Sequence, residues 1–345
     1  MAAGLLTGYF APEVGVALQS VVIGSVSLPV ALGLILMLLP VFCKVPYEKL
    51  GEVFRSPHLR TQILCSLGLN WIVGPALMVG LAWATLPDLP EYRNGVILVG
   101  LARCIAMVLL WNSLAHGSQE YCAVLVAINS VLQLLLYSPL AVLFIDVISG
   151  SAGTTRGNIG VFFWDVTQSV LIFLGIPFLV GVIIRYGLIW VAGRDWFQRK
   201  FVPRFSPLAL LGLLYTIFVL FAAQGRAIIT DIGPVARVAV PMLLYFSIMF
   251  FGTLLLAYLL RFPYDLAVTQ AFTASSNNFE LAIAIAVATF GVTSPEALAA
   301  TVGPLMEVPV LLALVRVALL FESWWKRKVV IPGEVVYSQA PNLEQ

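Results

Sequence analysis

Long apolar runs alternate with short polar stretches along almost the whole chain. Nine of these runs have about 20 residues, the length that an α-helix needs to cross the hydrocarbon core of a bilayer. The pattern therefore predicts a polytopic, all-α membrane protein. The predicted spans, numbered two to ten, are Val21–Cys43, Ile63–Leu86, Gly95–Ala115, Tyr121–Ile145, Val166–Ile184, Pro207–Ala223, Val238–Leu260, Leu266–Val292 and Leu298–Phe321.

The apolar residues Ala2–Phe10 precede the first span and are too few to cross a bilayer. We interpret them as the remainder of segment one, a helix that is truncated at the front of this chain. A cleaved signal peptide fits less well, because no basic residues precede the apolar ones.

The composition agrees with this class of protein. Apolar residues make up 61% of the 345 positions and charged residues only 10%, which a water-soluble domain of this size would not tolerate. The net charge of +2 is too small to indicate a nucleic acid partner. The four cysteines have neither CxxC nor Cys/His spacing, so we expect no structural zinc, no disulfide framework and no cofactor.

Lysine and arginine are distributed unequally between the two sides of the predicted bundle. Twelve fall on one side, and four fall on the other, namely Arg93, Arg156, Arg226 and Arg237. The positive-inside rule places the richer side, together with the C-terminus, in the cytoplasm. The expected location is the plasma membrane, with the protein crossing the lipid bilayer many times.

A stretch rich in glycine, serine and threonine, residues 150–157, follows segment five of ten. Because five is odd, the second half enters the membrane from the opposite side, which predicts two inverted five-helix repeats, as in many secondary transporters. The predicted units are residues 1–149, an external linker at 150–165, residues 166–322, and a cytoplasmic tail at 323–345.

Segments four and nine are the expected crossing pair of the two repeats. Residues 273–280 of segment nine, Thr-Ala-Ser-Ser-Asn-Asn-Phe-Glu, are mostly poor helix formers that compete for backbone hydrogen bonds, so we predict a break there. Segment four carries a weaker signal, a single glycine at Gly100.

Few charged side chains lie inside the predicted spans. A charge near the centre of a span costs roughly 2.5–3.5 kcal/mol, so it needs a partner or a wet cavity and indicates a function. Arg316 lies near the end of segment ten, and its long side chain is expected to reach the headgroups. The four charged residues are Arg103, Glu280, Glu307 and Arg316.

Helical rise places several polar groups at one depth. Arg103, Cys104 and Glu307 fall ~12–14 Å from the outer end of their spans. Asn277, Asn278 and Glu280 fall near the middle of segment nine. Groups from three helices are therefore expected to meet at one level.

Two readings remain open for the central residues. Cys104 either packs as a small apolar group or, beside the cation of Arg103, offers a soft thiolate to a soft acceptor such as a trivalent metalloid hydroxide. Glu307 either forms a static ion pair with Arg103 or carries protons in alternation with cargo. Glu280 is a second candidate carrier or a group that bonds a helix end, and the asparagines are either cavity groups or interhelical contacts.

Five strings spread over nearly the whole chain carry a resemblance: Ser25–Gly33, Leu69–Pro75, Gly100–Val108 with Trp111-Asn112, Ser275–Ala284 and Gly303–Val310. They resemble the arsenite efflux permeases of the arsenical-resistance family, within the bile acid/arsenite/riboflavin transporter superfamily. The resemblance implies ten helices in inverted repeats, divided into a core and a panel domain. It also implies export of arsenite, sometimes antimonite, in exchange for protons, and a requirement for Cys104 and Glu307.

The sequence thus predicts a metalloid/proton antiporter that works by alternating access. Cys104 would contact the arsenic, Glu307 would carry the proton and Arg103 would tune both. Asn277, Asn278 and Glu280 would complete the cavity.

Two alternatives differ in what they require. A sodium-coupled carrier of small organic anions on the same fold could draw oxygen ligands from the residues of segment nine, but it leaves Cys104 without a role. An intramembrane enzyme with Cys104 as its nucleophile is disfavoured, because His58 and His116 both fall in predicted loops.

Overall fold

The computed structural model describes residues 2–23, 26–45, 47–49, 57–150 and 159–328. These residues are almost entirely helical. In chain order the helices are α1 (Ala2–Phe10), α2 (Pro12–Ser20), α3 (Leu28–Lys44), α4 (57–85), α5 (Pro90–Leu101), α6 (Met107–Leu114), α7 (Gln119–Ile148), α8 (159–192), α9 (Arg194–Thr230), α10 (Ile232–Leu259), α11 (Tyr264–Ser275), α12 (Phe279–Phe290) and α13 (Pro295–Lys328).

Within the described ranges, six helices are long and apolar enough to cross a membrane, namely α4, α7, α8, α9, α10 and α13. The prediction of an all-α polytopic membrane protein is confirmed. Four of these helices contain a π-helical stretch: Leu69–Val73 in α4, Val142–Ile148 in α7, Leu171–Gly175 in α8 and Phe197–Phe201 in α9.

Segment two begins later than predicted. The strands β1 (Val22–Ile23) and β2 (Val26–Ser27) form a short antiparallel pair, and helix α3 begins only at Leu28. The reason is local: Pro29 lies in the first turn of α3, where its missing N–H costs nothing and its fixed φ favours a helix start. The predicted start of this helix at Val21 was therefore wrong, because the residues before Leu28 include the short strand pair.

Other predicted ends also move. Helix α13 continues to Lys328, so the first residues of the predicted tail are helical. Helix α8 begins at residue 159, inside the predicted linker, and residues 151–158 of that linker lie outside the described part. Helix α9 begins at Arg194, well before Pro207.

The helices pack in two groups. In the first group α9 packs against α1, α2 and α3, and α8 packs against α3. Small residues allow this close approach: Gly33 lies against Thr216, and Gly212 against the backbone of Met37. The second group contains α4–α7 and α10–α13, and the two groups meet where α8 contacts α7 and α12 and where α9 contacts α13.

Two spans of the second group are interrupted near their middle. Segment four is divided into α5 and α6, and segment nine is divided into α11 and α12. The break predicted in segment nine is confirmed. The break in segment four, for which the sequence carried only Gly100 as a signal, is equally complete.

Candidate functional site at the helix crossing

The two interrupted spans cross each other at their breaks. Arg103 and Asn277 pair as an antiparallel bridge, and the backbone N–H of Asn278 donates to the carbonyl of Ala102 over 3.1 Å. Each helix end leaves backbone groups without an intrahelical partner, and inside a bilayer water does not supply the missing bonds. At the crossing, each unwound segment forms hydrogen bonds with backbone groups of the other that would otherwise have no partner.

Asn277 and Asn278 have different tasks at this crossing. The side-chain nitrogen of Asn277 donates to the carbonyls of Val99 (2.9 Å) and Ala102 (3.2 Å), at the end of α5. The side-chain oxygen of Asn278 accepts from the backbone N–H of Leu281 over 3.1 Å and so caps the start of α12. One asparagine therefore stabilises the neighbouring span, and the other stabilises its own.

Arg103 is fully buried and ties both breaks to a third helix. Its guanidinium donates to the carbonyl of Gly100 and, over 2.9 Å, to the hydroxyl of Tyr245 on α10. The Tyr245 hydroxyl donates in turn to the carbonyl of Ala274 at the end of α11, over 3.2 Å. The positive charge thus lies beside helix C-terminal carbonyls, where the helix dipole favours a cation.

The alternative of a static ion pair between Arg103 and Glu307 is not observed. Among the described residues, the ion pairs involve other partners, and the polar contacts of Arg103 are to Gly100, Tyr245 and, through its backbone N–H, the side-chain oxygen of Gln133. That Arg103 tunes both Cys104 and Glu307 stays a prediction, and the hydrogen bonds observed for Arg103 are with other groups. Its observed contacts are those of a residue that positions the crossing.

Glu307 reaches the same crossing from α13 and is fully buried. One carboxyl oxygen accepts from the backbone N–H of Asn277 over 3.3 Å, and the other has no hydrogen-bond partner among the described residues. One turn earlier, Gly303 lies directly against the ring of Phe279, and a side chain at this position would overlap that ring. This close approach brings α13, and with it Glu307, against the start of α12.

Cys104 lies in the middle of the unwound connection between α5 and α6 and is 3% exposed. Its sulfur accepts from the backbone N–H of Val108 over 3.2 Å, and Ser276 lies within hydrogen-bonding range of it. The carboxyl groups of Glu307 and Glu280 are close enough to the sulfur to interact with it electrostatically. A thiol and two carboxyl groups, contributed by three helices, therefore converge on one buried region.

Comparison with known proteins identifies the family. Residues 31–231 match the sodium bile acid symporter family. The chain is 46% identical over 315 residues to the arsenical-resistance protein Acr3 of Corynebacterium glutamicum, covering 91% of this chain and 84% of that protein. This chain belongs to the arsenical-resistance branch of the sodium bile acid symporter family.

Two further relatives agree with this membership. An uncharacterized transporter of Synechocystis sp. is 34% identical, with coverage of 94% of this chain and 86% of the relative. The arsenical-resistance protein Acr3 of Alkaliphilus metalliredigens is 28% identical, covering 93% and 90%. The family that the sequence motifs resemble is confirmed, and with it the expectation of a transporter rather than an enzyme.

The side chains of Cys43, Arg316 and His116 lie away from the crossing. Cys43 is buried between α3 and α8, where its thiol lies 3.5 Å from the carbonyl of Gly181. Arg316 is exposed on α13. The ring nitrogen of His116 lies 2.9 Å from a carboxyl oxygen of Glu322 at the surface, whereas the side chain of His58 lies outside the description.

Three residues of the site were not identified from the sequence: Tyr245, Gln133 and Ser276. Gln133 carried a usable signal, because an amide inside the apolar run of segment five must find a partner. Tyr245 carried none, since tyrosine is common in apolar spans and only the fold shows that its hydroxyl joins the two breaks.

Proposed function

We propose that this protein exports arsenite from the cell in exchange for protons by alternating access. The observation that carries the proposal is that Cys104 and Glu307 are both buried at the crossing of two interrupted helices, where the carboxyl group of Glu307 bonds the backbone N–H of Asn277. Discontinuous helices near mid-membrane are where secondary transporters bind their substrates. The names of two relatives, which are arsenical-resistance proteins, support the choice of cargo.

The chemistry of the cargo suits a single thiol. Arsenite at neutral pH is As(OH)₃, which has no charge and needs no counterion in the membrane. The Cys104 thiol would replace one hydroxyl group, forming an S–As bond, while the thiol proton and the departing hydroxyl leave as one water molecule. Attack by water reverses the step, so one thiol binds the cargo and still releases it, whereas three thiols would hold it.

Glu307 would carry the proton. Its carboxyl group is anchored through one oxygen by the Asn277 N–H and has the second oxygen available for a proton. Because Glu307 interacts electrostatically with Cys104, protonation of the carboxyl and occupation by cargo affect each other. If one net positive charge enters per cycle, the membrane potential contributes ~2.3 kcal/mol per 100 mV.

The surrounding residues would form and position the cavity. Asn277, Asn278 and Glu280 would supply its polar wall, and Arg103 would hold the two breaks in register. Antimonite, with the same trivalent hydroxide chemistry, is a second expected cargo.

The two packing groups would serve as the moving parts. We assign α1–α3 with α8 and α9 to the panel domain and the remaining helices to the core, with two inverted five-helix repeats underlying both. The basic side and the C-terminus would face the cytoplasm, and the protein would lie in the plasma membrane.

A second candidate is sodium-coupled transport of a small organic anion. The description of the matching family and the unpartnered side-chain oxygens of Asn277 and Glu307 favour it, since sodium requires oxygen ligands. It leaves the buried thiol at the crossing without a task.

Everted membrane vesicles distinguish the candidates. With the interior acidic and sodium absent, arsenite uptake is expected for the unchanged protein and a loss of at least tenfold for Cys104→Ser and Glu307→Gln. Cys65→Ser, a thiol on α4 away from the crossing, is the matched control and should stay within twofold. Uptake that strictly requires sodium, or arsenite resistance unchanged by both central substitutions, would contradict the proposal.

A further inference from the structure

Helix α7 carries a column of buried polar side chains that winds around the helix as it rises. Tyr121, Asn129, Gln133 and Tyr137 are all buried, and each is separated from the next by four or eight residues. Residues four apart are neighbours on a helix surface, and each such step turns the column by about 40° around the helix axis. The column leads from the first turn of α7 towards the helix crossing.

Each side chain in this column contacts a different part of the second helix group. The Gln270 side-chain nitrogen on α11 donates to the hydroxyl of Tyr121 (2.6 Å) and to the carbonyl of Gln62 on α4 (2.8 Å). The indole nitrogen of Trp71 on α4 donates to the side-chain oxygen of Asn129 over 3.0 Å.

At its far end the column reaches the crossing itself. Gln133 accepts from the backbone N–H of Arg103, and Tyr137 donates to the carbonyl of Leu98 over 2.9 Å. We call Tyr121, Asn129 and Gln133, with Gln62, Asn70 and Gln270, the polar ladder.

Polar atoms without a partner are concentrated along this ladder. Of the 15 buried side-chain atoms that lack a hydrogen bond in the described residues, nine belong to the ladder or to the crossing. In folded proteins such atoms are rare, and those that occur are usually bonded by ordered water. The nine atoms are on Gln62, Asn70, Arg103, Asn129, Gln133, Gln270, Asn277, Asn278 and Glu307.

Hydrogen bonding between helices explains only some of the polar atoms in the ladder. The direct bonds of Asn129, Gln133 and Gln270 each use one polar atom of the amide and leave the other unbonded. An amide that only holds two helices together is expected to form hydrogen bonds through both its oxygen and its nitrogen, because an unsatisfied polar group inside a membrane is costly. Several half-bonded amides in one column leave instead a series of donors and acceptors with which water molecules can form hydrogen bonds.

We propose that the polar ladder holds a file of water molecules that conducts protons between the crossing and the cytoplasmic side, and this inference rests on the proposed exchange of arsenite for protons. From Tyr121 to Gln133 the ladder is ~18 Å long at the helical rise of 1.5 Å per residue. The amides do not ionise near neutral pH, so they orient water without retaining the proton. The proton moves by exchange of hydrogen bonds along the file, and Glu307 is the group that binds it. Cys104 is not part of this path.

Two substitutions test the path in proteoliposomes, Gln270→Met and Asn129→Leu, and each replaces an amide by an apolar side chain of similar size. Ser130→Ala is the matched control, because Ser130 is buried on the same helix but bonds the carbonyl of Val126 within it, over 2.7 Å. Two rates are compared, namely arsenite uptake driven by a pH gradient and exchange of arsenite for arsenite at equal pH, which moves no net protons. We expect the two ladder variants to lose at least tenfold in the driven rate and to stay within twofold in exchange, with the control unchanged in both.

Oxidative footprinting by radicals generated from bound water gives a readout independent of transport. We expect Tyr121 and Trp71 to be labelled in the unchanged protein and at least threefold less in Gln270→Met. The proposed proton path would be overturned if both variants lost driven uptake and exchange equally. It would also be overturned if both variants retained driven uptake. Absence of proton movement in the unchanged protein would instead contradict the proposed function, so the two failures are distinguishable.

Discussion

The breaks in segments four and nine lie against each other but have different sequences. The second break, residues 276–278, contains Ser276, Asn277 and Asn278, whose side chains compete with the helical backbone. The first, from Ala102 to Ala106, is mostly apolar and includes good helix formers. By propensity alone, only the second should unwind.

The difference shows that one break stabilises the other. Asn277 donates to two carbonyls at the end of α5, and the Asn278 N–H adds a third bond. Arg103, from the first break, reaches Tyr245, which holds the end of α11. The first span is therefore unwound mainly by contacts from its neighbour, and the comparison predicts which substitutions damage both breaks and which damage one.

Replacement of Asn277 by leucine should have the largest effect. It removes both side-chain bonds to α5 and leaves two buried carbonyls with fewer partners, which costs roughly 2–6 kcal/mol when each lost partner counts for about 1–3 kcal/mol. We expect a lower melting temperature in detergent and loss of arsenite resistance. An unchanged melting temperature would mean that the first break does not depend on the second.

Tyr245→Phe should come next. It removes only the hydroxyl that joins Arg103 to the end of α11, a bond to a charged group worth roughly 1.5–3 kcal/mol. Because Tyr245 lies outside both breaks, a reduced melting temperature would show that the crossing is held from α10. Tyr258→Phe, on the same helix, is the control and should have no comparable effect.

Asn278→Ala should affect only its own span. It removes the cap of α12, which is typically worth about 1 kcal/mol, and leaves the bonds to α5 in place. Asn278→Ser, which restores a capping oxygen, should recover most of the lost stability. A larger loss than for Asn277→Leu would reverse the assignment of the two asparagines.

The smallest effect is expected beyond the crossing, at the connection between α4 and α5. The Arg237 guanidinium donates to Asp88 over 2.7 Å and lowers the pKa of that carboxyl from 3.8 to about 2. A lowered pKa stabilises the folded state above the unfolded value of 3.8, and this contribution is lost as the pH falls towards 2. Both partners are substantially exposed, so Asp88→Asn should lower the melting temperature less than Asn278→Ala at neutral pH, and by a much smaller amount at pH 2, where the carboxyl group of the folded protein is already largely protonated. A pH-independent difference would contradict an ionic origin.

Several features of the site were predictable because they follow from length and depth. Helical rise alone places Cys104 and Glu307 at one level, and the structure brings both to the crossing. The direction of the Arg103 side chain was not predictable. The sequence left open whether this cation pairs with Glu307, and in the structure the carbonyl of Gly100 and the hydroxyl of Tyr245 receive the hydrogen bonds of its guanidinium.

Hydropathy and motif strings were enough to determine from the sequence a helical membrane transporter, its family and several of the residues that lie at the helix crossing. These properties depend on the chemistry of individual side chains and on the thickness of a bilayer, both of which can be read along one chain. The break in segment four, the link through Tyr245 and the polar ladder were decided only by the tertiary structure. Each depends on hydrogen bonds between residues far apart in the chain, and local propensity contains no information about such partners.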